Sequence, residues 1–305
     1  MINLKDKLSH LSFRQACKLL GPQGENLIRS GGKYDIDIVE QVVLTKDFFQ
    51  LNLNEAVVHI RLDDEKNRRL NFQCSQCAGS CVHIGAAVSL ILEEKLVLGL
   101  SAPPPERVPV ENLSDDELVR QAIEERIERA QTEKMTVASM NPKELWTDYI
   151  VASHASGKSY RVALRGWDRG ESFCTCPDYR KNTLGTCKHI LHTIEKASKR
   201  FARSVRETTY RVKDLAVYLK YGKTLELRML IPENLNAQAL TILNPIRGIP
   251  IKDIRDLLKR IKALEHLGFD VTIYPDAEEY INSVLYSERV NARAAEIRKD
   301  QETHP

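Results

Sequence analysis

Cys174-Thr175-Cys176-Pro177-Asp178-Tyr179-Arg180-Lys181-Asn182-Thr183-Leu184-Gly185-Thr186-Cys187-Lys188-His189 brings three cysteines and a histidine into one short stretch of a 305-residue chain. Glu171 to Phe173 reads as the end of a strand, and alternate side chains of a strand share a face, so Cys174 and Cys176 can meet one ion. Cys187 and His189 repeat that spacing where the chain enters a helix, whose amino-terminal dipole favours a thiolate. Three thiolates and one imidazole make a closed tetrahedral shell, at about 2.3 Å for sulfur and about 2.0 Å for nitrogen, which suits a structural zinc ion and leaves no position for water. The competing reading is a set of unrelated buried thiols.

Working outward, the same order of features occurs about a hundred residues earlier, as an internal repeat. Phe48 to Asn52 and Val57 to Leu62 alternate like strands, and Arg69 to Gln73 leads into Cys74, Cys77, Cys81 and His83. Tyr149 to Ser153 and Tyr160 to Leu164 are their counterparts before Cys174. Each copy then continues into a helical stretch, Ile84 to Leu96 and Ile190 to Val205. The first ligand set has a wider first pair and a much shorter gap than the second. It is expected either to hold a second zinc ion or to be a degenerate copy that keeps its strands and helix without metal. Only Cys17, expected as a small core residue on the first helix, stands apart from the two cysteine triplets.

Pro103, Pro104, Pro105 and Pro109 make Ser101 to Leu113 a stiff linker between the copies. Ser114 and Glu117 form a capping box for a charged, solvent-exposed connector helix. The expected division is a first module over 1–100, linker and connector over 101–145, a finger over 146–207 and a mixed unit over 208–305. In the last, Ala216 to Leu219 and Leu225 to Ile231 read as paired strands. Ile251 to Leu264 recurs with helical spacing between Pro250 and Gly268, Phe269 to Tyr274 reads as a strand, and Asp276 opens a final helix to about Lys299. The fold class is α+β: two small zinc-stabilised strand–strand–cysteine–helix modules and a mixed α/β carboxy-terminal unit.

The net charge of +3 is uneven: residues 146–222 carry 15 basic and 7 acidic side chains, an excess of eight, so the rest of the chain is negative. Around a helix after His189, Ile190, Ile194, Ala197 and Phe201 fall on one side. Lys188, Lys196, Lys199, Arg203 and Arg206 fall on the other. With Arg200 on the same helix and Arg161, Arg165, Arg169, Arg180 and Lys181 on the adjoining strands and loop, this is a candidate surface for a phosphate backbone, giving salt-dependent affinity with little sequence choice. The first copy, with Glu93 and Glu94 at the end of its helix, lacks that side and reads as a packing or protein-contact unit. A basic face that is merely solvated is the competing reading.

Other tempting signals carry less. Gly157-Lys158-Ser159 lacks the earlier glycine of a phosphate loop, since Ala152 stands there, and falls in a hairpin turn. His192 is expected to face solvent or phosphate, and His59 to be a satisfied strand histidine. No serine, histidine and carboxylate cluster or nucleotide motif emerges, so no enzyme activity is expected of this chain. No apolar run approaches the roughly 20 residues of a membrane span, and the amino terminus lacks a signal-peptide core, so no membrane is expected and the location is cytoplasmic, or nuclear in a eukaryote.

Cys174-x-Cys176 followed after ten residues by Cys187-Lys188-His189, with Pro177-Asp178-Tyr179 and Ile190, resembles the SWIM-type zinc finger over about Trp146 to Arg203. The resemblance implies zinc and binding rather than catalysis. With the whole order of units, the chain resembles the amino-terminal region of bacterial Swi/Snf-family helicase-like ATPases. That implies DNA, or RNA, as partner and a Swi/Snf-type ATPase domain supplied downstream or by another chain, since no motor follows the last helix. The rival from a different class is a protein-interaction adaptor whose zinc sites only hold shape.

Overall fold

The computed structural model describes residues 3–63, 69–101, 114–222 and 224–303. The proline-rich linker, apart from Ser101, lies outside them. Contacts divide the chain into two compact units, Met1–Thr208 and Thr209–Pro305. Among the described residues no helix is long and apolar enough to cross a membrane.

The first unit opens with four short helices that the cysteine pattern gave no reason to expect: α1 (Leu4–Ser9), α2 (Phe13–Leu19), α3 (Gly24–Gly31) and α4 (Ile38–Gln41). Their starts are nonetheless written locally. Asn3 with Asp6 and Ser12 with Gln15 form reciprocal capping boxes, each satisfying two backbone N–H groups that a helix start leaves without partners. Cys17 stands on the second helix, not the first. It is half-buried against the core, beside buried Leu20, while Leu19 is 45% exposed.

Strands β1 (Val42–Leu44), β2 (Phe48–Asn52), β3 (Val57–Asp63) and β4 (Arg69–Cys74) follow as an antiparallel meander in that order. After it comes α5 (Val82–Glu93). Helix α5 is apolar nearly all round because it is wrapped: α3 covers one side and the sheet another. Gly85 allows the approach to α3, since a Cβ there would lie 2.0 Å from the Leu27 carbonyl oxygen.

The second copy repeats the plan. The connector α6 (Asp115–Thr132) starts with the expected Ser114–Glu117 capping box. Strands β5 (Met135–Ser139), β6 (Asp148–Ser153), β7 (Ser159–Ala163) and β8 (Phe173–Cys174) form a second antiparallel meander. The short α7 (Pro177–Lys181) and then α8 (Lys188–Arg200) follow. Each meander thus has four strands, with β1 and β5 added to those the alternation identified. The kinship extends to single hydrogen bonds. Val58 lies opposite Cys74 and Val162 opposite Cys174. The hydroxyl of Ser75 accepts from Val57 N–H at 2.9 Å, and that of Thr175 from Arg161 N–H at 3.0 Å.

Two expectations are corrected here. The helix after His189 does not run to Val205: it ends at Arg200, Phe201 takes an extended conformation, and Arg203–Arg206 is a separate turn of helix, α9. The connector α6 is not simply a solvent-facing spacer. It packs along α8, burying Ala130 and pairing Arg126 with Asp178.

The two copies also pack against each other within the unit. Ser159 N–H donates to the Gly32 carbonyl at 2.8 Å, Tyr160 Oη–H donates to Glu94 at 2.6 Å, and Arg180 pairs with Asp35 at 3.0 Å. The expected modules over 1–100 and 146–207 therefore belong to one body.

In the second unit β9 (Leu215–Lys220) pairs antiparallel with β10 (Glu226–Leu230) and parallel with β11 (Val271–Ile273). Between β10 and β11 lie α10 (Ala237–Leu243), a 3-10 turn and α11 (Ile254–His266). The chain closes on α12 (Pro275–Thr303). Asp253 caps α11, whose Ile254, Leu257, Ile261 and Leu264 fill the core against Leu215, Val217 and Leu227. Of these helices only α10 was not expected, and α12 begins at Pro275, one residue before Asp276.

Candidate metal centres

Both ligand sets converge. The donor atoms of Cys74, Cys77, Cys81 and His83, and those of Cys174, Cys176, Cys187 and His189, each lie within 4.8 Å of one another. In the first set His83 Nδ1 is 3.5, 3.6 and 3.9 Å from the three sulfurs. In the second, His189 Nδ1 is 3.9 Å from both Cys174 and Cys187. A tetrahedron with zinc–ligand bonds of about 2.3 and 2.0 Å has sulfur–nitrogen edges of about 3.5 Å. The clusters are thus the size of a zinc shell, and in both the histidine presents Nδ1.

Local structure explains the convergence. Cys74 and Cys174 end the last strand of their meanders, and Cys81 and Cys187 are the N-cap residues of α5 and α8. Cys176 N–H donates to Cys174 Sγ, and Tyr179 N–H to Cys176 Sγ, both at 3.4 Å. Such amide donors stabilise thiolate charge. Pro177 at the first position of α7 keeps that helix start tight behind Cys176.

The electrostatics also fit a cation. Burial and the neighbouring thiols push Cys174 well above its ordinary pKa, whereas hydrogen bonds from Cys174, Cys176 and the Ile190 amide outweigh burial at Cys187 and hold it well below. In the first set burial pushes Cys81 up to about 11, while the amides of Gln76 and Cys77 outweigh burial at Cys74 and lower it. A divalent ion removes the repulsion that prevents all three thiols from ionising. The second set is fully buried and the first half-buried. Both sets fit zinc through their soft, four-donor composition.

Each histidine turns its Nε2 toward a carboxylate. Glu55, exposed in the turn between β2 and β3, lies 3.6 Å from His83 Nε2. Glu93, buried at the end of α5, lies 4.0 Å from His189 Nε2. Burial alone would raise the Glu93 pKa, but Lys188 and His189 bring it down to about 2. A cleft of about 630 Å³ opens onto Cys176 and His189. Its charges, among them Glu93, Arg126, Arg129 and Asp178, are of both signs, so it is no single-signed anion pocket.

No protein-family model, curated protein or solved structure matches the chain.

The cationic residues are distributed differently from the helical projection. Lys188 does not face outward: it is buried, with Nζ 2.8 Å from Glu93 and 2.6 Å from Glu133. Helix α8 is covered on two sides, by the meander and by α6, and Lys188 lies on the second covered side. The same packing buries His192, which does not face solvent or phosphate: its Nδ1 is 2.7 Å from the Ala130 carbonyl.

Arg161 and Arg165 both clamp Asp148 and are half-buried, and Arg180 is paired with Asp35. Arg206 is half-buried on α9, where its carbonyl accepts from Trp167 Nε1 at 2.9 Å. Lys181, Lys196, Lys199, Arg200 and Arg203 are exposed. Of these, Lys199 and Arg203 make surface pairs with Glu195 and Glu207, and Arg200 donates to the Pro142 carbonyl. Lys158 is buried in the hairpin and donates to the Tyr34 carbonyl. His59 is half-buried beside Gln50 Oε1 at 3.0 Å, a satisfied strand histidine.

The residues that sequence reasoning missed are Glu93, Glu55 and Glu133. In the sequence Glu93 is only an acid at the end of a helix without a cationic side, and nothing local reveals a partner 95 positions away.

Proposed function

We propose that the chain is a zinc-stabilised, non-catalytic binding region in which two related modules, each closed around one ion, present a cationic surface to DNA. The observation that carries the zinc reading is the convergence of four soft donors, within 4.8 Å, at two equivalent points of a repeated fold. A shell of four side chains leaves no coordination position for water, which supports a structural role over hydrolysis. The resemblance of the Cys174 to His189 pattern to SWIM fingers supports an accessory role beside a Swi/Snf-type ATPase domain.

The nucleic-acid part of the proposal rests on Lys196, Lys199, Arg200 and Arg203, exposed where α8 ends and α9 begins. Replacing Lys196, Lys199 and Arg203 with glutamate should weaken DNA binding broadly and leave zinc content unchanged. The slope of log affinity against log salt should fall by about one unit per lost phosphate contact. Equal affinity of wild type and triple variant at two salt concentrations removes this surface from the reading.

One observation favours the adaptor as a second reading. Lys188, Arg161, Arg165 and Arg180 are held in ion pairs within the unit, so a good part of the expected phosphate surface is structural. Absence of salt-dependent DNA binding by the wild type would select it.

A further inference from the structure

Helix α5 begins at one metal centre and ends at the other. Its N-cap is Cys81, and its last residue, 12 positions on, is Glu93, about 18 Å away at 1.5 Å per residue. Among the described residues, the side chains that hydrogen-bond the Glu93 carboxylate, Lys188 and Ser156, belong to the second module. Oε1 accepts from Lys188 Nζ at 2.8 Å, Oε2 accepts from Ser156 Oγ at 2.6 Å, and Oε1 lies 4.0 Å from His189 Nε2. That Nε2 is buried and has no hydrogen-bond partner among the described residues. A histidine that gives Nδ1 to a metal keeps its proton on Nε2, and such a proton is ordinarily directed at a carboxylate that fixes the ring.

The first centre shows the same device in another form. His83 Nε2 faces Glu55, which comes from a turn of its own module and is exposed. Each copy of the repeat therefore has an acid behind its histidine. Only the second copy borrows that acid from its neighbour, in a buried position.

We propose that Glu93 is the outer-shell positioning residue of the second metal centre, so that this centre is completed by the first module and metal binding there is linked to the docking of the two modules. The proposal rests on the zinc reading above. Lys188, between ligands Cys187 and His189, extends the link: its ammonium joins Glu93 to Glu133, the residue that follows α6.

The test uses the full 305-residue chain loaded with zinc, challenged with a chromogenic chelator. The half-buried first centre should release its ion quickly and the buried second centre slowly, the fast phase being identified by its change in Glu55→Gln. Glu93→Gln should accelerate the slow phase by about 10–100-fold and leave the fast phase at the wild-type rate. In the cobalt-loaded protein, Glu93→Gln should shift the visible bands of the slow site, whereas Ser156→Ala, which only loosens the contact, should not. An unchanged slow phase in a Glu93→Gln protein that still holds two ions overturns the proposal. A wild type that binds no zinc instead sinks the metal reading itself.

The linkage is tested from the other side without altering Glu93. In Cys176→Ser, with one ion retained, hydrogen exchange should rise over residues 90–94 and stay low over 82–86. Wild-type protection at 90–94 overturns the linkage.

Discussion

Gly32→Ala tests the joint between the modules with a single methyl group. A Cβ at Gly32 would lie 2.1 Å from the Gly157 carbonyl oxygen and 2.9 Å from Lys158 Cα. These are backbone atoms of the β6–β7 hairpin and cannot rotate away. The φ of −63° at Gly32 suits alanine, and loss of unfolded-chain entropy alone would stabilise the variant by about 0.4–1 kcal/mol. Contact decides the sign. Forcing the hairpin outward sacrifices the Ser159 N–H to Gly32 carbonyl bond, about 1 kcal/mol net, and adds overpacking of about 1–3 kcal/mol. The net loss is about 2 kcal/mol, and in a unit of this size it lowers the melting temperature by about 4–8 °C. Calorimetry of the zinc-loaded protein reads it in the transition of residues 1–208. A melting temperature at or above that of wild type would refute the close approach of Gly32 to the hairpin.

Protein purified without chelators should contain two zinc ions per chain by elemental analysis; one ion would mark the first module as metal-free, and none would remove the assignment. Lys158 is buried and its pKa is lowered by that burial from 10.5 to about 8. The unfolded chain therefore holds the proton between these values while the folded one has lost it, so the cost of burying the charge is fully present below about pH 8 and is relieved as pH rises to 10.5. The difference in unfolding free energy between wild type and Lys158→Met should move in the wild type's favour by roughly 3 kcal/mol across that window, and a flat difference would show that the ammonium is not desolvated. In the second unit Leu257→Ala, at a fully buried position, should cost about 2–5 kcal/mol in that unit's own transition and leave zinc content at the wild-type value. Loss of zinc in this variant would contradict the division of the chain into two units.

The sequence by itself determined the ligand sets, the repeat and most of the elements that carry them, because each depends on neighbours in the chain. Cys174 and Cys176 alternate along an extended segment, Cys187 and His189 bracket a helix start, and Ile254, Leu257, Ile261 and Leu264 recur at helical spacing. The starts of α1 and α2 are as local, in Asn3 with Asp6 and Ser12 with Gln15, yet they were not among the expected elements. Only the tertiary structure decided what those elements face. A helical projection places Lys188 opposite Ile190 and so in water, on the assumption that α8 has one covered side; α6 supplies a second, and Lys188 ends between Glu93 and Glu133. The same holds for His192 against Ala130 and for Arg161 and Arg165 against Asp148. Burying a charge costs least beside its counter-charge, and that counter-charge comes from whichever element packs there, however distant in sequence. Periodicity tells how a residue stands on its own helix; Glu93, at the end of one module and behind the histidine of the other, is placed by packing alone.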